Sequence, residues 1–282
     1  MTRTVSFETP TDPTLFGPDQ PRPRALLALS MRGFATWLAE HLVPYSRLVY
    51  DFGTGAVFTT VRLDYLGELR FADADWLTTT TRVQVSESAT YLRLDVSVDA
   101  RYALDGRRLP VAHSHADLRL VTILESDVLT AVPGTLPDRL FDRLEAQDTY
   151  RPDREALARD TTPPTHGVVL AERVSRGSLC RSHCEVADQW SFIEVIELLT
   201  TARERLFQAE LPEEIRRFAV SSPTRSITAV FHRPLYLFDD YRLTTRMVAE
   251  GAPGLPSLVY EMDDPTHAAS CVTAWETLSP NR

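Results

Sequence analysis

The chain contains no lysine: among its 282 residues, all 30 Lys and Arg positions are arginine. Schiff-base chemistry, pyridoxal phosphate attachment and the phosphate-binding P-loop each need a lysine amine, so these three kinds of site are excluded. Sequence motifs for dinucleotide binding (G-x-G-x-x-G), for a serine nucleophile (G-x-S-x-G) and for a zinc protease (H-E-x-x-H) are absent too. We therefore expect no cofactor.

Cysteine is scarce, with only Cys180, Cys184 and Cys271 in the chain. An odd and small number of thiols is typical of a reduced protein without a disulfide framework. His183 lies between the first two cysteines, but a structural zinc site needs four ligands and no second Cys/His cluster follows nearby. The sequence therefore predicts no metal site.

Long hydrophobic runs are missing as well. No apolar stretch reaches the roughly 18 residues that span a bilayer, and the polar segment from Met1 to Pro13 lacks the apolar part of a secretion signal. The net charge of -9 disfavours nonspecific binding to nucleic acid, which depends on a basic face. We expect a cytoplasmic protein that binds neither membranes nor nucleic acid.

The first half of the chain combines one long helix with several strands. Residues 1–24 are rich in proline, which disfavours regular structure, so this stretch is predicted to be irregular. The spacing of apolar residues predicts a helix over 25–41, which Pro44 ends. Strands are predicted at 56–66, 76–83, 90–103 and 109–124, and a short helix at about 137–145. Together they predict an N-terminal domain over 1–148.

A second domain is predicted to repeat this order. Residues 149–166 are charged and contain prolines, which is typical of a linker, although a surface loop within a single domain is the alternative. Strands are expected at 167–176 and 179–185, then a helix at 190–207, and then strands near 227–231, 241–250, 258–262 and 268–276. The second domain is therefore predicted to span 167–282.

A weak internal repeat supports two copies of one fold. The segment from Leu69 to Thr79 resembles the segment from Leu237 to Thr245, and each lies a similar distance after its long helix. A long apolar helix before antiparallel strands predicts an α+β domain whose sheet wraps the helix, the arrangement called a hot dog. We therefore predict a double hot-dog protein. Pairing at a sheet edge could also join two chains, so a homodimer is compatible with the sequence.

The segment from Arg181 to Ile193 (RSHCEVADQWSFI) leads into the second long helix. It resembles the 4-hydroxybenzoyl-CoA thioesterase family of hot-dog acyl thioesterases, in which D-x-D-x-x-G-H-V-N-N-A-x-Y precedes a helix that often contains E-A-R. When the two are aligned without a gap on Ala202-Arg203, Glu185 matches the second, catalytic acid of that motif. His183 then matches its first Asp.

Several positions of that motif carry other residues here. The Gly-His pair falls on Asp188 and Gln189, the two Asn fall on Ser191 and Phe192, and the catalytic acid is Glu instead of Asp. In the first half the resemblance is one of architecture, and Asp19 is the acidic residue nearest to the corresponding position. We therefore expect one working site per chain.

The resemblance implies acyl-thioester chemistry at the start of the second helix. A helix N-terminus presents unpaired N–H groups and a partial positive charge, which would polarise a thioester carbonyl and stabilise its oxyanion. A carboxylate at Glu185 would act as a base on water or as the nucleophile. The catalytic candidates are Glu185, His183, Asp188 and Glu194, and the substrate-binding candidates are Gln189, Trp190, Ser191 and Phe192.

Each candidate also has a structural interpretation. Glu185 could be a solvated acid at a strand end, and His183 could be a structural histidine. Asp188 and Ser191 both suit the N-cap of the helix. Glu194 could lie on a solvated helix face, although it is also the alternative catalytic acid because some hot-dog enzymes use a carboxylate within the helix.

Two histidines of the first half are further candidates. His113 and His115 alternate along the strand predicted at 109–124, so they point to the same side of the sheet. They are either exposed histidines or groups that contribute to the site from the first half.

The sequence thus predicts an enzyme of the acyl thioesterase type, acting on an acyl-CoA or an acyl-carrier-protein thioester. A fatty-acid, polyketide or specialised-metabolite pathway would supply such a substrate. Dehydration, which needs a histidine with a carboxylate, and acyl transfer are alternatives on the same scaffold. A non-catalytic acyl-binding protein is another, because a fold does not determine a function.

Overall fold

The computed structural model describes residues 3–102, 105–124, 131–152, 162–163, 167–185, 189–211, 213–249 and 256–279. The chain divides into two compact units, residues 1–158 and 159–282. Each unit combines a long helix with a mainly antiparallel sheet, so the predicted α+β class is confirmed. Residues 153–161 and 164–166 of the predicted linker lie outside the described residues. None of the described helices is long and apolar enough to cross a membrane.

The N-terminal unit contains the long helix and all four strands predicted for this half. Its sheet has the order β1-β3-β4-β5-β2, with antiparallel neighbours. The strands are β1 (Thr4–Pro10), β2 (Thr54–Tyr65), β3 (Ala74–Ser86), β4 (Tyr91–Tyr102), β5 (Arg108–Ile123), β6 (Ala131–Pro133) and β7 (Thr149–Tyr150). The helices are α1 (Pro23–His41), α2 (Tyr45–Tyr50) and α3 (Asp138–Phe141). The short β6 pairs with β5, and β7 pairs with β3 in parallel.

The core of this unit lies between α1 and one face of the sheet. Strand β4 shows the alternation that the sequence predicts, because every second side chain, such as Leu94 and Val96, is buried. The hydroxyls of Ser30 on α1 and Ser114 on β5 lie 2.8 Å apart, which identifies the face of β5 that meets the helix. The buried apolar side chains of α1 are Leu26, Leu27, Leu29, Phe34, Trp37 and Leu38.

Gly33 brings α1 very close to β3. A Cβ atom at this position would overlap the hydroxyl of Thr81 and lie 2.9 Å from its Cβ atom. Thr81 is fully buried, so its short, branched side chain has little room to move aside. The close approach of helix and sheet therefore depends on the missing side chain of Gly33.

Replacing Gly33 with alanine is expected to lower the free energy of unfolding by about 1–3 kcal/mol, the usual cost of overpacking a core. The direction of this change in stability is informative, because Ala in place of Gly ordinarily stabilises a helix by about 1 kcal/mol. Urea denaturation would measure the change. The double variant Gly33→Ala/Thr81→Ala should recover part of the lost stability. A Gly33→Ala variant as stable as the parent would show that the close contact with Thr81 does not require glycine.

The prediction of irregular structure for residues 1–24 is wrong for its first part. Strand β1 pairs with β3 in a register that runs from Thr4 opposite Arg82 to Pro10 opposite Trp76. The prolines begin at Pro10, so the strand keeps all of its interior N–H groups and ends where proline would interrupt the ladder.

The C-terminal unit has the sheet order β9-β12-β11-β10-β8, with antiparallel neighbours. Its strands are β8 (Val168–Ser178), β9 (Thr224–Phe231), β10 (Asp240–Ala249), β11 (Ser257–Asp264) and β12 (Ala269–Leu278), and its helices are α4 (Phe192–Glu210) and α5 (Glu213–Ser221). The strand predicted over 179–185 is wrong: residues Arg181–His183 form a single 3-10 turn instead. The N–H of His183 donates to the carbonyl of Cys180 (2.8 Å), which closes this turn.

A buried ion pair joins the middle of α4 to the sheet. The Nη1 atom of Arg203 lies 2.5 Å from Oε1 of Glu276 on β12, and only 1% of that carboxylate side chain is exposed. The hydroxyl of Tyr260 on β11 donates to the other carboxylate oxygen at 2.8 Å, and Thr224 on β9 donates to the first. This network fixes the helix whose N-terminus meets the predicted site.

Candidate functional site

The segment before α4 forms a narrow loop that brings several predicted site residues together. The N–H of Ser191 donates to the carbonyl of His183 (3.0 Å), and the N–H of Glu185 donates to the carbonyl of Gln189 (2.9 Å). The main chain therefore holds Glu185 against Gln189, just before the start of α4. Residues 186–188 lie outside the described residues, and with them the catalytic candidate Asp188.

The connection between β9 and β10 holds the other side of this loop. The N–H of Trp190 donates to the carbonyl of Leu235 (3.0 Å), and Gln189 forms an isolated antiparallel bridge with Tyr236. Both contacts are made by the main chain. The site is thus framed by the end of β8, the start of α4 and the turn before β10.

Glu185 is an exposed residue, yet its carboxyl group is not fully hydrated. Surrounding protein removes part of its water, and this desolvation raises the pKa of Glu185 above the usual value for a glutamate. A general base is most effective when its pKa lies near the working pH. Exposure to substrate together with a raised pKa is the combination expected of a catalytic carboxylate.

Trp190 contributes a hydrogen-bond donor without an acceptor. The residue is only 7% exposed, and its ring packs against that of Tyr241 with centroids 5.4 Å apart and an angle of 36° between the planes. Its Nε1 atom is buried without a partner among the described residues. Buried donors are nearly always satisfied in native proteins, so a missing acceptor requires an explanation. An acceptor oxygen on a bound ligand would supply one.

The remaining candidates surround the first turn of α4. Ser191 is the N-cap residue of the helix, but its side chain makes no capping bond within the described part of the chain. Phe192 is buried, whereas Gln189 is half-buried. Glu194, the alternative acid, is half-buried in the first turn.

A cysteine–histidine pair lies at the start of the site loop. The N–H of Cys180 donates to Nδ1 of His183 (3.2 Å), and the Sγ atom of the exposed Cys180 lies 3.2 Å from Nδ1 and 3.8 Å from Nε2 of the same ring. Sequence reasoning considered Cys180 only as a metal ligand and His183 also as a catalytic candidate, and it missed the contact between them, although the spacing C-x-x-H across one turn could have indicated it. No group of three His, Cys, Asp or Glu side chains that could hold a metal occurs within the described ranges.

The N-terminal unit contains a counterpart of the site loop. The N–H of Arg22 donates to the carbonyl of Leu15, and the N–H of Gly17 donates to that of Gln20, both at 2.8 Å. Helix α1 begins directly after Arg22, as α4 begins directly after Ser191. The two loops therefore share one main-chain pattern.

This pattern corrects the placement of the acid in the first half. Gly17 takes the position that Glu185 has in the second loop, whereas Asp19 lies nearer the loop tip and is exposed. The sequence did not reveal that Gly17 is equivalent to Glu185, because the first loop is shorter and glycine has no side chain that would identify the position. The first copy therefore has no carboxylate at the equivalent position.

The turn before β10 repeats as well. In the N-terminal unit the N–H of Arg70 donates to the carboxylate of Asp73 (2.7 Å), and in the C-terminal unit the N–H of Tyr236 donates to that of Asp239 (2.8 Å). The repeat seen between Leu69–Thr79 and Leu237–Thr245 therefore corresponds to one repeated turn and strand.

His115 lies in an ion cluster on the face of the N-terminal sheet opposite α1. Its Nδ1 atom is 2.7 Å from Asp95, and its Nε2 atom is 3.5 Å from Asp117. Burial disfavours the charged imidazole, but the hydrogen bonds and charges of the two carboxylates outweigh it and raise the pKa of His115 to about 9. The half-buried His113 lies on the same face. His115 is thus already paired within its own unit.

Replacing His115 with glutamine is expected to lower the free energy of unfolding by about 2 kcal/mol at pH 7, since one pKa unit corresponds to about 1.4 kcal/mol. The folded-state pKa is raised from 6.5 to about 9, so this stabilisation is complete below pH 6.5 and disappears as the pH rises through 9. Denaturation curves of parent and variant should therefore converge in alkaline buffer. A constant difference would contradict the ion-cluster explanation.

Comparison with known proteins identifies the fold. No family model and no curated protein sequence matches the chain. Three similar solved structures are a 12:0-ACP thioesterase from Umbellularia californica (TM-score 0.68, 11% identity, 99% of this chain and 98% of that one), an acyl-ACP thioesterase from Bacteroides thetaiotaomicron (0.65, 10%, 98% and 98%) and a tesB protein from Mycobacterium avium subs. paratuberculosis (0.52, 14%, 98% and 93%). The predicted double hot-dog fold is confirmed, and the resemblance to hot-dog acyl thioesterases holds at the level of the fold.

Proposed function

We propose that the protein is an acyl thioesterase that hydrolyses an acyl-CoA or acyl-carrier-protein thioester at the loop before α4. The observation that carries this proposal is the position of Glu185, an exposed carboxylate with a raised pKa that the main chain holds beside the helix N-terminus. The fold adds support, because solved acyl-ACP thioesterases share it over nearly the whole chain.

The geometry suits attack of water on a thioester carbonyl. Glu185 would accept a proton from water as its oxygen attacks the carbonyl carbon. The N-terminus of α4 would stabilise the oxyanion. The carbon–sulfur bond then breaks, and we assign to His183 the transfer of the proton from Glu185 to the leaving thiolate. Glu194 in the first turn remains the alternative acid.

The substrate-binding role is assigned to the residues that flank the start of the helix. Gln189, Ser191 and Phe192 line the approach to its first turn, and Trp190 supplies the unpartnered donor. Replacing Trp190 with phenylalanine keeps the ring and removes the N–H. We expect KM to rise by about 3- to 10-fold, the value of one hydrogen bond, in steady-state assays. A KM unchanged from that of the parent would exclude the indole N–H as a substrate contact.

We propose one working site per chain, and a comparison of the two loops supports it. Because Gly17 takes the place of Glu185 in the N-terminal loop, only the second copy carries the acid. We place the domains at 1–148 and 167–282, joined by a linker, with catalysis assigned to the second.

A panel of thioesters tests this function. Acyl-CoA and acyl-carrier-protein substrates of increasing chain length, including aromatic and 3-hydroxyacyl groups, would be incubated with the protein while free thiol is measured. We expect release that depends on chain length and saturates with substrate. Tight binding without thiol release would favour an acyl-binding protein, and loss of water from the 3-hydroxyacyl substrate with its thioester intact would favour a dehydratase.

A further inference from the structure

We propose that Tyr236 is a further catalytic residue, whose hydroxyl donates a hydrogen bond to the oxyanion that forms when water attacks the thioester carbonyl. This inference rests on the proposed thioesterase function and deepens it by adding a donor across the site from Glu185. Tyr236 lies in the turn before β10, outside the segment that resembles the thioesterase motif, so that motif does not indicate it.

Three short chain segments lie side by side at the site. The N–H of Glu185 donates to the carbonyl of Gln189, and the N–H of Ser191 donates to that of His183. These two bonds belong to an antiparallel pair in which Glu185 stands directly opposite Gln189. On its other side Gln189 is bridged to Tyr236. Side chains that stand opposite each other on neighbouring strands share one face, so Glu185, Gln189 and Tyr236 form one row, which we call the site row.

Burial separates the two faces of this small ladder. Trp190 is bridged to Cys184 and donates to the carbonyl of Leu235, so these residues belong to the face opposite the site row. Trp190 is 7% exposed and Leu235 is 1% exposed. On the face of the site row, Glu185 is exposed, and 44% of Tyr236 is exposed. The site row therefore lies on the face that a substrate can reach from solvent.

The spacing of the site row suits a bound thioester. Directly opposite residues of an antiparallel pair have Cα atoms about 4.5–5.5 Å apart, which places the Cα atoms of Glu185 and Tyr236 roughly 10 Å apart. A carbonyl group and the water that attacks it fit above Gln189, between the carboxylate and the phenol. The main-chain N–H of Tyr236 donates to Asp239, whereas its hydroxyl has no partner within the described part of the chain. The phenol is thus available as a donor to a ligand.

A fixed hydroxyl donor is a suitable group for this step. As the water oxygen attacks the carbonyl carbon, Glu185 takes the proton from water and the carbonyl oxygen becomes negatively charged. A donor already held near that oxygen stabilises the charge without reorganising solvent. Tyr236 keeps its proton throughout. When the carbon–sulfur bond breaks, the oxygen regains its double bond and the hydrogen bond weakens again.

The N-terminal unit lacks the acid and the phenol together. Gly17 takes the position of Glu185 in its loop, and Arg70 takes the position of Tyr236 in its repeated turn. The two copies therefore differ at both ends of the site row. This difference is expected if the carboxylate and the phenol act on the same substrate group.

The bond that places the turn against the loop is also specific to the C-terminal unit. There the N–H of Trp190 donates to the carbonyl of Leu235 at 3.0 Å. Pro21 takes the position of Trp190 in the N-terminal unit, since each is the residue bridged across its own loop. Proline has no N–H, so the corresponding bond cannot form. The arrangement that brings Tyr236 beside Gln189 is therefore not available to the first copy.

Replacing Tyr236 with phenylalanine is the direct test, because it keeps the ring and removes the hydroxyl. With a thioester that the parent hydrolyses, we expect kcat to fall by about 10²-fold, the usual effect of removing one oxyanion donor. KM and the melting temperature should stay close to those of the parent, because the bond is strongest in the transition state and the side chain is largely exposed.

Two controls separate this role from a structural one. Arg70→Ala changes the equivalent position of the copy that has no acid, and it should leave kcat unchanged. A thioether analogue of the substrate, with a methylene group in place of the carbonyl, cannot accept the hydrogen bond. Calorimetric titration should therefore give the same affinity for this analogue in the parent and in Tyr236→Phe.

The possible results distinguish the inference from the function on which it rests. Full kcat in Tyr236→Phe would overturn the oxyanion role and leave the thioesterase function standing. A loss of turnover matched by an equal loss of affinity for the thioether would overturn it too, because the hydroxyl would then hold another part of the substrate. Absence of thiol release from the parent with every thioester would overturn both.

Discussion

Replacing Glu185 with glutamine lowers kcat by about 10²- to 10⁴-fold, the usual contribution of a general base. Glutamine has the same shape and still forms hydrogen bonds, but it cannot accept a proton from water. Substrate binding should therefore remain close to that of the parent, so that the loss appears in kcat and not in KM. Steady-state assays of thiol release would measure the loss in kcat, and a separate equilibrium binding measurement would show whether substrate affinity is unchanged.

The catalytic activity of the parent protein is expected to rise with pH. Glu185 acts as a base only when it is ionised, and desolvation raises its pKa. Activity should therefore increase with pH through a midpoint above the ordinary value for glutamate, about 4.3. Glu194→Gln is the matched control, because Glu194 is the alternative acid in the first turn of the same helix. A larger loss from Glu194→Gln than from Glu185→Gln would transfer the catalytic role to Glu194.

Replacing Glu276 with glutamine is expected to lower the free energy of unfolding by about 3–5 kcal/mol, the cost of leaving one partner of a buried ion pair alone. The carboxylate is 1% exposed and lies 2.5 Å from Arg203. Arg203 also contacts the exposed Glu204 at 2.7 Å, which offsets part of the loss. Guanidinium denaturation would measure the effect.

An exposed ion pair of the same sheet provides the control. Glu261 lies 2.8 Å from Arg246, and 47% of its side chain is exposed. Glu261→Gln should therefore change the free energy of unfolding by less than about 1 kcal/mol. Equal effects of the two substitutions would show that burial of Glu276 does not determine its contribution.

Periodicity predicted the elements that carry the core. The apolar stripe of α1 and the alternation of β4 follow directly from the packing of one helix on one sheet face. Strand β1 was missed because its pairing with β3 is long-range and the prolines from Pro10 onward dominated the local pattern. Helix α5 follows α4 almost directly, and apolar spacing did not mark it as a separate element.

The candidate site was accessible from sequence only where side-chain types carried the signal. Glu185 was proposed from the family motif, because it matches an acid that precedes the helix in that motif. The register of the first loop could not be predicted from the sequence, because main-chain hydrogen bonds determine it and Gly17 has no side chain that would mark the position. The Cys180–His183 pair depends on a 3-10 turn that brings the two side chains together, and the sequence had predicted a strand there, in which they would point to opposite faces.

The most direct test of the central claim is hydrolysis in ¹⁸O-labelled water by the parent and by Glu185→Gln side by side. The account predicts that the parent releases free thiol and an equal amount of acid that carries ¹⁸O from the solvent, and that the variant forms almost none of this acid. Thiol released without labelled acid would indicate transfer to another acceptor. Labelled acid formed equally fast by the variant would contradict the role of Glu185.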